Sequence, residues 1–237
     1  MDTKFWGPQG WKLLHLIVYT YPQEPTKYQR RNYAKFFNSL QYVLPCRYCR
    51  ESLIRFYKEV PIEDYLDSRN KMTEWMYLIH NKVNEKLQKQ GLLNESNPSQ
   101  EYVDNMYKNY LKNKCQLIGW NFIYSIAFNY LENGNIFTSN KIEQLKNQYT
   151  NFFNYLGKYI SCGDYRVKYK EYIIENPLND ALKNQSTLTR WLYGLNSQIN
   201  SKIDKSEKGY QKLTKLMDKV RVKNCKKQTC RKLNIKS

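Results

Sequence analysis

Laid against itself with an offset of 116, the sequence aligns residues 33–87 with residues 149–203 without a gap. Sixteen of these 55 positions are identical: Tyr33, Phe36, Phe37, Cys46, Arg50, Pro61, Leu66 and Trp75 recur as Tyr149, Phe152, Phe153, Cys162, Arg166, Pro177, Leu182 and Trp191, with eight further matches. Upstream, Gly10-Trp11 matches Gly119-Trp120 at an offset of 109, the difference being an insertion or deletion in the first connection. A chain that repeats itself over this length is built as two copies of one unit. Its 237 residues therefore divide into two domains of about 100 residues, each long enough to bury a core.

Within each copy the apolar spacing is helical. Trp11, Leu14, His15 and Val18 share a face, as do Phe36, Phe37, Leu40, Val43 and Leu44, and again Trp75, Leu78, Ile79 and Val83. No stretch alternates as a strand would, so the expected fold is all-α. Breaks are expected at Pro22 to Pro25, at Pro45, at Pro61 with Asp64, and through the Gly, Asn, Ser and Pro cluster from Gly91 to Ser99.

What the second copy has lost is as informative as what it kept. The rings persist, but Cys49 becomes Tyr165, His15 becomes Tyr124, and His80-Asn81 becomes Asn196-Ser197. A duplicate that retains its packing residues and drops a set of reactive side chains marks that set as the site.

Of six cysteines, Cys46, Cys49, Cys115, Cys162, Cys225 and Cys230, only the first two form a C-x-x-C. Pro45 suits a helix start, where the dipole and free N–H groups favour a thiolate, and Arg47 and Arg50 add positive charge. Such a pair closes easily into an exchangeable disulfide. The rival reading is half of a zinc site, completed by His15 and His80 or by Cys225 and Cys230; the histidines lack a ligand-like spacing and the second cysteine pair lies in the tail. A thioredoxin-like reading lacks its βαβ pattern.

Three blocks together resemble a known family: Trp6-Gly7-Pro8 with Trp11, His15 and Tyr21-Pro22; Pro45-Cys46-Arg47-Tyr48-Cys49; and Trp75 with His80-Asn81-Lys82-Val83-Asn84-Glu85-Lys86-Leu87. In order and separation they are similar to the Erv/ALR-type FAD-linked sulfhydryl oxidases, particularly those of large DNA viruses such as mimivirus. The resemblance implies a helical bundle that binds FAD, usually as a homodimer, with Gly7, Trp11, His15, Cys49, His80, Asn81, Val83, Asn84 and Lys86 at the cofactor. Rings can stack on adenine, amides can meet ring or ribose edges, and Lys86 can answer the pyrophosphate.

It further implies a relay. A protein thiolate attacks Cys46, the more exposed sulfur; Cys49, released against the flavin, passes electrons on; and O2 is the final acceptor, yielding hydrogen peroxide. Cys225 and Cys230 are the candidate shuttle pair. The sequence departs from many relatives at Pro8, where an arginine is common, and at Gln100, where a structural disulfide would begin.

The expected division is a FAD-binding domain over 1–112, a degenerate, cofactor-free copy over 113–215, and a basic tail over 216–237. Net charge is +18, and residues 202–237 hold 13 Lys and Arg against three acids. A basic segment of this kind can meet phosphates or an acidic partner, the basis for the alternative of a zinc-stapled nucleic-acid-binding protein. Rings for base stacking are sparse there, Tyr210 being the only one after Tyr193, which argues for the enzyme. Neither a membrane-spanning run nor a signal peptide is legible. The expected place is the host cytoplasm at the virus factory, where cellular reductants would otherwise keep viral thiols reduced, with the virion as a second location.

Overall fold

A computed structural model of the chain describes residues 1–113, 118–131, 139–160, 162–222 and 229–230. Its elements are helical throughout these residues. The first copy comprises α1 (Thr3–Tyr19), α2 (Lys27–Val43), α3 (Arg47–Glu59), a 3-10 turn (Ile62–Tyr65), α4 (Arg69–Lys89) and α5 (Gln100–Asn113). The second comprises α6 (Trp120–Ala127), α7 (Ser139–Tyr159), α8 (Gly163–Glu175), the single turn α9 (Leu178–Ala181), α10 (Gln185–Ile199) and α11 (Glu207–Lys219). The breaks fall where the prolines and the 91–99 cluster put them.

Local chemistry accounts for the helix starts. Asp2, Thr26, Ser68, Asn184 and Ser206 each accept a backbone N–H of the following first turn, and Thr26 with Gln29 forms a full capping box. At α3 the cap is a sulfur: Cys46 Sγ accepts the Cys49 amide at 3.3 Å. Pro45 thus stands one residue ahead of the cap instead of in the first turn.

The repeat is carried down to individual contacts. Tyr21 packs edge-on to Tyr33 at 4.5 Å and donates to the Leu66 carbonyl; Tyr130 packs on Tyr149 at 4.6 Å and donates to the Leu182 carbonyl. Trp75 donates its indole N–H to the Val60 carbonyl and meets Phe37 at 73°; Trp191 donates to the Asn176 carbonyl and meets Phe153 at 73°. Both cores are therefore ring clusters in which these equivalent Tyr and Trp handles each have a carbonyl partner, the condition under which such rings are buried at little cost.

The two copies form one body. α2 packs along α7 and α1 against α6, each helix thus facing its own counterpart. Phe36 stacks on Phe152, the same position of the repeat, with centroids 5.5 Å apart, so the halves are related by an approximate two-fold axis. α11 runs through the boundary expected at 215/216, because Tyr210 packs on Tyr193 and Met217 is fully buried. The tail also differs from the free segment expected: Thr229 and Cys230 are 3% and 5% exposed, and the Thr3 amide donates to the Cys230 carbonyl at 2.8 Å.

Candidate functional site

One face of α4 and one of α1 enclose a cavity of ≈510 Å³, a volume suited to a small molecule. From α4 it is lined by Met76, Ile79, His80, Val83, Asn84, Lys86 and Leu87, a stripe recurring every three or four residues. α1 adds Gly7, Trp11 and Leu14, and α3 adds Cys49, Ser52 and Leu53. Seven of the nine residues expected at a cofactor thus surround one space.

The other two are placed differently. Asn81 follows His80 by one residue, about 100° around the helix, and is not among the cavity's lining residues; its neighbour Lys82 turns to Glu59 at 2.7 Å. His15 lies behind the wall. Its Nε2 is 3.0 Å from His80 Nδ1, and its ring stacks on Tyr107 at 4.6 Å. His80 in turn stacks on Trp11 at 3.9 Å and 13°. Burial holds His80 at about 4 and, together with His80 itself, His15 at about 3, so both imidazoles are neutral around pH 7. The His15 Nδ1 is buried without a hydrogen-bond partner among the described residues.

No motif marks Tyr107 as a site residue; its signal is the Val103/Tyr107 spacing on α5, both residues buried, and Asp104 accepts the Tyr19 hydroxyl in a short bond. This ring-and-carboxylate packing holds the segment in which the sequence departs from the family pattern at Gln100. Lys86 reaches the cavity edge and donates to Ser52 Oγ at 2.8 Å, and Asn84 donates to Asn97 Oδ1 at 2.9 Å.

The cysteine pair reverses one expectation. Cys46, expected to be the more exposed sulfur, is 2% exposed, while Cys49 is half-buried and lines the cavity. The cover on Cys46 comes from both ends of the chain: Met1 donates to the Pro45 carbonyl at 3.2 Å, and the Cys230 backbone amide bonds the Cys46 sulfur. Both sulfurs are present as thiols. The hydrogen bond from Cys49, reinforced against burial by the Cys49 and Cys230 amides, brings Cys46 down to about 6; the same bond and burial push Cys49 well up. The pair therefore shares one proton, held on Cys49.

Cys162 and Cys230 are each engaged in a disulfide; Cys115 and Cys225 lie outside the described residues. Among the described residues no group of three or more His, Cys, Asp or Glu is placed to hold a metal, and no helix is long and apolar enough to cross a membrane. In the second copy Tyr124 accepts Asn196 Nδ2 at 2.8 Å where the first copy sets His15 against His80.

The model of the Erv1/Alr family matches residues 8–107 and again 118–221. Among curated relatives, a probable FAD-linked sulfhydryl oxidase of Acanthamoeba polyphaga mimivirus is 39% identical over 85 residues, covering 35% of this chain and 59% of that protein. The mitochondrial FAD-linked sulfhydryl oxidase ERV1 of Saccharomyces cerevisiae is 33% identical over 88 residues, covering 37% of this chain and 46% of that protein. The chain thus spans about half the length of these relatives. With both halves matched separately, and with the repeat visible in sequence, in ring contacts and in hydrogen bonds, the chain belongs to the Erv1/Alr family and carries its domain twice.

Proposed function

We propose that the chain is a FAD-linked thiol oxidase that forms disulfides in protein substrates and passes the electrons to O2. The observation that carries this reading is the position of Cys49: the second sulfur of the single C-x-x-C opens into a cavity walled by stacked rings and edged by a lysine. The donor set fits FAD. Trp11 and His80 offer flat faces, Asn84 an amide, Lys86 a charge for a pyrophosphate, and the apolar residues of α4 a dry wall. When bound, FAD accepts the electron pair from the thiols and delivers it to O2 as hydrogen peroxide.

The chain's own part is thiol exchange and positioning. In the oxidised pair Cys46 receives the incoming thiolate, and Cys49 leaves as the sulfur beside the cavity. The Cys230 amide bonds the Cys46 sulfur, so residue 230 lies against the first cysteine of the pair; this supports Cys225 and Cys230 as the shuttle between substrate and Cys46. The second copy carries Tyr124, Tyr165 and Asn196 where the first carries His15, Cys49 and His80, which supports a cofactor-free role for it. Of the homodimer implied by the family resemblance, the pairing of two copies is already present within one chain. The host cytoplasm, at the virus factory, and the virion are the places proposed for the activity.

The deciding measurement is the visible absorption spectrum of the purified protein, with metal analysis on the same sample. Flavin bands equivalent to one FAD per chain are expected; a colourless protein with stoichiometric zinc would overturn the oxidase reading.

A further inference from the structure

The family model matches residues 8–107 and 118–221. Residues 1–3 and 229–230 stand outside both stretches, and yet they meet at the site. The Asp2 amide donates to the Val220 carbonyl and the Thr3 amide to the Cys230 carbonyl, each at 2.8 Å. Two adjacent amides thus hold residues 220 and 230 side by side against the start of α1. These are amides that α1 cannot satisfy by itself: Asp2 caps the helix and Thr3 is its first residue, where an N–H has no acceptor within the helix. The Trp6 indole closes over the same place, donating to the Met1 carbonyl at 3.4 Å.

The segment held there touches both parts of the site. Cys230 bonds the Cys46 sulfur through its amide, and Thr229 beside it is 3% exposed and lines the cavity together with Thr3 and Lys4. Cys46 Sγ in turn accepts the amide of Cys49, whose side chain lines the same cavity. Neighbouring residues of one short segment therefore cover the first sulfur of the pair and close the cavity. The other lining residues come almost entirely from helices, fixed by the packing of their cores. Thr229 is the part of the wall held in place through a backbone hydrogen bond of the residue beside it, and it is there that local opening costs least.

We propose that residues 229–230, fastened to Thr3, are a clasp that retains the cofactor: Thr229 shuts the cavity while Cys230 covers Cys46, and the cofactor leaves only when the clasp opens. That the retained group is FAD rests on the flavin reading; the clasp does not.

Thr3→Pro tests it in the flavin-loaded full chain. Proline is well tolerated at the first position of a helix, and Asp2, at φ −65 and ψ 122, already has the extended backbone that precedes proline. The backbone bond lost is the one to Cys230. Hydrogen exchange of the peptide holding residues 229–230 and the rate of FAD release on dilution are each expected to rise about fivefold, the worth of one backbone hydrogen bond. Lys27→Pro, the same change at the first position of α2, is expected to move neither. Faster exchange with an unchanged rate of FAD release would overturn the retaining role, and unchanged exchange would overturn the fastening at Thr3. Should Thr3→Pro not fold, Thr229→Gly takes a side chain out of the cavity wall and is expected to speed FAD release by a like factor; an unchanged rate would equally overturn the proposal. A native chain that binds no FAD would sink the flavin reading, while the exchange comparison would still decide whether the clasp is held at Thr3.

Discussion

Replacing Cys49 by alanine in the reduced protein removes the first cause of Cys46's acidity, the hydrogen bond from the neighbouring thiol, while leaving Cys46 buried. In the native pair Cys46 sits at about 6 against an ordinary 9.0. At pH 7 this makes about nine in ten Cys46 sulfurs thiolate, where an unperturbed thiol would be ionised in about one in a hundred; the full difference corresponds to about 4 kcal/mol. Because the folded value is depressed, the associated stability is complete above the unfolded value and is lost as pH falls through about 6, so reduced native protein gains about 2 kcal/mol between pH 6 and pH 8 from this group. The assay is the pH dependence of thiolate absorbance, taken as the difference between each protein and Cys46→Ser. Native protein is expected to titrate one thiolate near 6, and Cys49→Ala to titrate it at or above the ordinary value. A native midpoint at 8.5 or higher, or a Cys49→Ala midpoint still near 6, would refute the argument that the Cys49 thiol sets the acidity of Cys46.

Cys230→Ser is expected to slow oxidation of a reduced protein substrate by about tenfold or more, since it removes the sulfur of the residue whose backbone amide bonds Cys46, while oxidation of a small dithiol falls far less; equal losses on both substrates would leave Cys230 without a shuttle role. Trp75→Ala deletes a fully buried indole and orphans the Val60 carbonyl, at a cost of about 3–5 kcal/mol readable by urea denaturation, and a loss below about 1 kcal/mol would mean that the ring cluster is not the core of the first copy.

Much of this architecture was legible because the sequence contains its own comparison. The offset of 116 predicts two helical copies, and the matching tyrosine and tryptophan hydrogen bonds follow from the recurrence of Tyr33, Leu66 and Trp75. Periodicity on α4 likewise places His80, Asn84 and Leu87 on one face, and the same period turns Asn81 aside, a consequence that motif resemblance alone obscured. His15 stands one layer back from the cavity for a different reason: a histidine on an apolar face can line a cavity or stand behind its wall, and only the approach of Tyr107 from α5 distinguishes the two. The burial of Cys46 was not legible at all. It depends on residues 1 and 230 meeting at residue 46, and a contact of that kind between remote segments leaves no local pattern of spacing or composition.

The cap of α3 adds a mechanical consequence. Cys46 Sγ, the entry sulfur of the proposed relay, is also the acceptor that holds the first turn of the helix. As a thiolate it is a charged acceptor at the positive end of the helix dipole; once joined in a disulfide it is a neutral and far weaker one. In the proposed relay, reduction of the pair is expected to tighten the first turn of α3 and oxidation to slacken it, so the Cys49 amide is expected to exchange its hydrogen more slowly when the pair is reduced than when it is oxidised.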